Sequence, residues 1–148
     1  MVPEVINGDF VISKKQLQTQ IRNKKRDAIV IRTLPNLPDK KSKRYSNTNP
    51  TYLSEAAAIY LKENGIKHLL IDLPSVDKEK DGGQLLAHNA FWNTSGVLRM
   101  DATITEFIYV PNAVVDGEYL LNLMIAPFEN DATPSKPILY KILVDEKK

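Results

Sequence analysis

Gly65-Ile-Lys-His-Leu-Leu-Ile-Asp-Leu-Pro-Ser-Val-Asp77 is a continuous apolar run that ends in polar groups. Residues 67–73, apolar apart from Lys67 and His68, predict a buried strand. Its C-terminal edge then carries Asp72, Ser75 and Asp77, and that edge is where open α/β sheets place ligands. The segment before it strengthens this reading. Ser54 is a cap, Glu55 lies in the first turn, residues 55–64 are alanine-rich, and Gly65 follows directly, which together predict a helix. Upstream, the β-branched run 27–33 predicts another strand. Strand, helix, strand in this order is a βαβ unit with parallel neighbours.

Further elements follow by the same rules. Ser13 caps a short helix over 13–21, with Leu17 and Ile21 one turn apart. Residues 33–53 hold Pro35, Pro38 and Pro50, a basic stretch at 40–44 and no periodicity. A loop of about twenty residues is a functional lid or is disordered. Residues 77–83 are turn-rich, and 84–92 predict a helix on which Leu85, His88 and Phe91 or Trp92 recur. Strands are expected at 103–110, 119–127 and 137–144, with a frayed tail at 145–148. The expected fold class is therefore α/β, a βαβ unit with a mixed sheet and a strand-rich C-terminal third, as one domain over 1–148.

The bulk properties narrow the function. The chain has 148 residues, no cysteine and a net charge of +2. Disulfides, thiolate metal sites and cysteine nucleophiles are excluded. The small net charge gives no reason to expect a nucleic-acid or membrane partner. No stretch reaches the roughly 18 apolar residues of a membrane span. The N-terminus has no basic or apolar region of a signal peptide, so a cytoplasmic protein is expected. The clusters at 24–26 and 40–44 lack interleaved aromatic residues and read as solvated loops.

His88 and Glu106 are the residue types that ligate zinc-like ions, and a catalytic site keeps one position open for water. Bound water can ionise near neutral pH and attack a carbonyl. Spacing alone leaves His88 open between ligand and hydrogen-bonded structural residue, the commoner case. His68, inside an apolar strand, reads as structural. Asp72 either lines a pocket or holds the following turn through backbone hydrogen bonds. Ser75 has no G-x-S-x-G context, so a serine nucleophile is not expected. Phe91 and Trp92 read as core.

The run from Tyr52 through Asp77, then Ala87-His88, Ile104-Thr-Glu106 and Leu120-Leu-Asn-Leu-Met-Ile-Ala-Pro127, resembles the cyclase family of metal-dependent hydrolases, which includes the bacterial kynurenine formamidases. The resemblance covers about residues 9–143. It implies a swivelling β/α fold and a zinc or manganese site whose metal-bound hydroxide attacks a formamide, amide or lactone. In that pattern His88 and Glu106 match two late metal ligands, and Asp72, Ser75 and Asp77 match the pocket loop. The family's earlier H-x-G-T-H-x-D-x-P motif has no counterpart, since His68 and His88 are the only histidines. The chain thus looks like the C-terminal portion of a longer hydrolase, beginning after that motif. No complete catalytic set is expected in it, and little or no catalysis. Residues 93–101 look like an insertion able to reshape the pocket mouth. The rival expectation is a truncated or degenerate, non-catalytic binding module. Exposed apolar surface and an unpaired sheet edge favour self-association into a homo-oligomer.

Overall fold

A computed structural model describes residues 1–21 and 25–143. The chain divides into two compact units, Met1–Pro111 and Asn112–Lys148.

The first unit is built around the anticipated βαβ. Strand β3 (Ala28–Ile31) and strand β5 (His68–Ile71) pair in parallel, Ala28 opposite His68 and Ile31 opposite Ile71. Helix α2 (Glu55–Glu63) lies between them in sequence, capped by the Ser54 hydroxyl, which accepts the Ala57 N–H. Strand β6 (Thr103–Thr105) adds in parallel on the other side of β5, so the order is β3-β5-β6. The central strand buries Leu69, Leu70 and Ile71, as a parallel strand covered on both faces must. Helix α3 (Leu86–Trp92) precedes β6. The small Ala57 and Ala58 of α2 share the core with Leu61, Ala87 and Phe91. Fully burying such aliphatic and aromatic side chains stabilises by about 1.5–3 kcal/mol each.

Three short elements were not anticipated. Strands β1 (Glu4–Ile6) and β2 (Asp9–Ile12) form an antiparallel hairpin, and β4 (Tyr52–Leu53) joins β2 in parallel. Their brevity left no periodicity to read. Helix α1 (Lys14–Gln20) follows, and Ser13 with Gln16 forms a complete capping box. Helix α3 starts two residues later than expected, because Leu85 is left-handed, with φ 47°. The strand expected to reach residue 110 stops at Thr105, because Phe107 has a φ of 55°.

The loop over 33–53 is held by Asn36 on the Val110 carbonyl, by Asn47 and Asn49 backbone N–H groups on Glu79, and by one largely buried ion pair. Lys40, in a 3-10 turn (Pro38–Lys41), places Nζ 2.8 Å from Asp72 Oδ2, 2.7 Å from the Thr33 carbonyl and 2.9 Å from Thr33 Oγ1. All three ammonium protons are thereby used. Both Asp72 oxygens accept the Thr33 N–H at 2.9 Å. The pair is deeply placed, with side-chain exposures of 14% for Lys40 and 1% for Asp72. Lys40 therefore departs from the solvated-loop reading of its cluster, whereas Lys41, Lys43 and Arg44 are exposed as expected.

In the second unit, β7 (Tyr119–Ile125) and β8 (Ser135–Lys141) form an antiparallel hairpin, Tyr119 opposite Lys141 and Ile125 opposite Ser135. Both expected C-terminal strands are therefore present, the last ending before Val144. Residues 144–148 and Lys24 lie outside the described residues.

Removing one partner of the buried pair strands a charge, which costs about 3–5 kcal/mol. Asp72→Ala is accordingly expected to lose that much in urea unfolding, and Lys41→Ala less than about 0.5 kcal/mol. Equal effects would show that the pair does not organise the loop.

Candidate active site

Three strand ends and one helix start meet at the C-terminal edge of the parallel sheet. Leu70 pairs with Thr105, so Glu106 leaves β6 level with the end of β5. Its Oε1 accepts the Val76 N–H at 2.8 Å, and the Val76 carbonyl accepts the Leu53 N–H at 2.8 Å. The 73–77 loop is thus held from both sides. Ser75 Oγ accepts the Asp77 N–H at 3.0 Å. Beyond it, Lys78 Nζ pairs with Asp9 Oδ2 at 2.6 Å, tying the loop to β2.

Asp77 carries the arrangement. Helix α3 has no capping side chain at its own N-cap, Leu85. Asp77 takes that role from ten residues upstream: Oδ1 accepts the Ala87 N–H at 2.5 Å, and Oδ2 lies 3.4 Å from the His88 N–H. The same Oδ2 is 2.6 Å from His88 Nδ1. An ionised carboxylate only accepts, so Nδ1 carries the proton and Nε2 of the neutral ring is left as a donor atom. Nε2 lies 3.5 Å from Glu106 Oε1. Trp92, one turn along α3, sets its ring 5.1 Å from the imidazole.

Burial opposes the imidazolium, but the Asp77 hydrogen bond and the charges of Glu106 and Asp77 outweigh it. The His88 pKa is therefore raised. Burial is also the largest influence on Glu106 and raises its pKa. The Val76 N–H and the charge of His88 pull the other way without cancelling it.

The structure thus brings together Ser75, Asp77, His88 and Glu106. It turns Asp72 the other way, onto Lys40 and Thr33, so that carboxylate holds the loop over 33–53. His68 is at the opposite end of β5, where Nδ1 meets Thr103 Oγ1 at 3.0 Å. Residues 93–101 sit at the C-terminal end of α3, where the Arg99 guanidinium binds the carbonyls of Phe91 at 2.7 Å and Ile66 at 2.6 Å. Phe91 is core, and the partly buried Trp92 packs against that core with its ring beside His88. Sequence reading missed the dual role of Asp77. A signal existed: a helix opening on Leu85 needs its cap from elsewhere.

Two donors on one metal of tetrahedral geometry, each at about 2.0–2.2 Å, lie roughly 3.3–3.5 Å apart. The 3.5 Å between His88 Nε2 and Glu106 Oε1 fits such a pair. A carboxylate on the other ring nitrogen is the usual support of a metal-bound histidine. Among the described residues no cluster of three or more histidine or acidic side chains could complete the shell.

The family described as "Putative cyclase" matches residues 2–78, just over half of the chain. The chain belongs to this cyclase family. Two solved structures share its fold. One is titled a potential metal-dependent hydrolase with cyclase activity; it is 17% identical at a TM-score of 0.66, over 88% of this chain and 58% of its own. The other, a predicted metal-dependent hydrolase from Bacillus stearothermophilus, is 18% identical at a TM-score of 0.63, over 94% of this chain and 60% of its own. This cyclase-family chain therefore spans about three fifths of the length of either. No curated protein matches it. Among the described residues no helix is long and apolar enough to cross a membrane.

Both raised pKa values mean that the folded chain binds protons more tightly than the unfolded chain, so stability falls as pH rises. The His88 contribution is full below the unfolded imidazole value of about 6.5 and is lost as pH rises through the raised folded value. The Glu106 contribution declines in the same direction, starting from the ordinary carboxylate range. In chelator-treated protein, the melting temperature is expected to fall between about pH 6 and pH 8, and His88→Gln to flatten that slope. Parallel curves for the two proteins would refute the assignment.

Proposed function

We propose that this chain carries the later part of a metal-dependent hydrolase site of the cyclase type, acting on a small formamide, amide or lactone. The observation that carries the reading is the His88–Glu106 donor pair, with Asp77 locking the imidazole from behind. Family membership supports it. His88 Nε2 and the Glu106 carboxylate would hold the ion, zinc or manganese. The ion supplies Lewis-acid polarisation of a carbonyl and activation of water. Asp77 keeps the proton on Nδ1, so the Nε2 lone pair stays on the side facing Glu106. The Val76 N–H fixes the Glu106 carboxylate. Two donors hold an ion weakly, since affinity depends on ligand number and geometry. The chain alone is therefore expected to give little or no turnover of N-formylkynurenine.

Calorimetric titration with zinc at pH 7.5 tests this. One weak site is expected, at least tenfold weaker in His88→Ala and Glu106→Gln. Asp77→Asn should weaken it about 10- to 100-fold through the imidazole it supports. Unchanged affinity in His88→Ala would sink the proposal.

The second unit favours a further reading, self-association. Its hairpin leaves Leu120, Met124 and Tyr140 exposed, and two-stranded sheets alone are marginally stable. Light scattering is expected to give a mass above the monomer that decreases in Leu120→Lys; a monomer at working concentration rejects it.

A further inference from the structure

Asn47 and Asn49 both lie in the left-handed region, with φ of 61° and 48°, a conformation that asparagine adopts more cheaply than most residues. Thr48 stands between them and is tied back to the chain. Its N–H and its hydroxyl both donate to the Tyr45 carbonyl, at 3.1 and 2.5 Å. Asn49 is fixed from the other side, its Nδ2 donating to Asp9 Oδ1 at 2.7 Å. The turn is therefore shaped by bonds of its own, and it presents the N–H groups of Asn47 and Asn49 together. Backbone N–H groups converging in this way form a concavity that takes anions.

A carboxylate of the same chain sits there. Glu79 Oε1 accepts the Asn47 N–H at 2.5 Å, and Oε2 accepts the Asn49 N–H at 3.0 Å. The Asn47 N–H, and then that of Asn49, hold the Glu79 pKa below its ordinary value although the residue is exposed. Asn47, Asn49, Lys78, Glu79 and Lys80 line a surface cavity of about 310 Å³. Ser75, Asp77, His88 and Glu106 are not among them. Lys78 is committed to Asp9, at 2.6 Å. Lys80 is exposed, and its charge acts on Glu79. With Glu79 in place, the carboxylates of Asp9 and Glu79 balance the two ammonium groups. With Glu79 swung out, one positive charge and two N–H donors remain at the cavity.

We infer that the Asn47–Asn49 turn, with Lys80, is a binding site for a phosphoryl dianion, and that Glu79 is a built-in occupant which such an anion displaces. The Glu79 carboxylate spends one oxygen on each N–H. A phosphoryl group has a third oxygen and a larger charge, so it can meet both N–H groups and the Lys80 ammonium at once. Inorganic phosphate and a small phosphate ester share those three oxygens. The inference is independent of the hydrolase reading.

Inorganic phosphate, methyl phosphate and acetate are titrated calorimetrically at pH 7.5 in chloride buffer. A tethered carboxylate competes at an effective concentration on the order of millimolar, so the wild type is expected to bind phosphate weakly. Glu79→Ala vacates the turn and should bind phosphate about tenfold more tightly or better, and acetate far less tightly than phosphate. Glu63→Ala, which removes an equal charge from the exposed end of α2, should match the wild type. Phosphate should also restore the melting temperature that Glu79→Ala loses, and adding Lys80→Gln to that variant should weaken binding. In the wild type, the Asn47 and Asn49 amide resonances should move together and saturably with phosphate, a readout that needs no variant. Methyl phosphate binding as tightly as phosphate identifies an ester site, and weaker binding a free-anion site; either supports the inference. A merely structural Glu79 predicts a melting temperature that falls in Glu79→Ala and is not restored by phosphate. That result, phosphate binding by Glu79→Ala no tighter than by Glu63→Ala, or unmoved Asn47 and Asn49 resonances overturns the inference.

Discussion

The carboxylate of Asp77 satisfies two demands with two oxygens. One accepts from the first turn of α3, a helix whose own boundary residue has nothing to offer. The other holds His88 Nδ1 at 2.6 Å. Helix start and imidazole orientation are consequently one constraint, and a change in the 73–77 loop must disturb both. The loop is itself suspended between β4 and β6 through the two sides of Val76. Short strands that contribute little regular structure thereby position the candidate site.

Polar groups at the same sheet edge divide into two sets with different work. Asp72 and Lys40 are buried, mutually saturated and shut away from the site. Asp77, His88 and Glu106 are only partly satisfied by one another, and the ring nitrogen and carboxylate oxygen that face each other are spaced as two donors around one ion. The first set secures the long loop. The second is left open enough for chemistry. The two carboxylates lie five positions apart, and their roles differ because one has a lysine to neutralise it and the other an imidazole to orient.

The loop over 33–53 links both sets. Its anchoring lysine lies beneath, and its aromatic and cationic residues face the segment after Glu106. Its length allowed a functional lid or disorder, and the hydrogen bonds of Asn36, Lys40, Asn47 and Asn49 hold it in one place. The reason is electrostatic: Lys40 at Asp72 replaces hydration with three hydrogen bonds in a nearly dry position.

Much was legible from sequence alone. The helix over 55–63, the strands flanking it and their parallel pairing followed from capping, alanine content and an unbroken apolar run, all local properties. So did the Ser13 cap and the ordered appearance of Asp77, His88 and Glu106 along the chain. Strands β1, β2 and β4 were not legible, since they show no period of their own and are defined by their partners. Nor was the fate of Asp72 against Asp77, which depends on a lysine thirty-two residues away in one case and a histidine eleven residues away in the other. Composition and periodicity determined which elements form and which residues are fit for a site. Only tertiary structure decided which of those residues meet, because hydrogen bonds and charges act over a few ångströms in space, and separation along the chain does not record that distance.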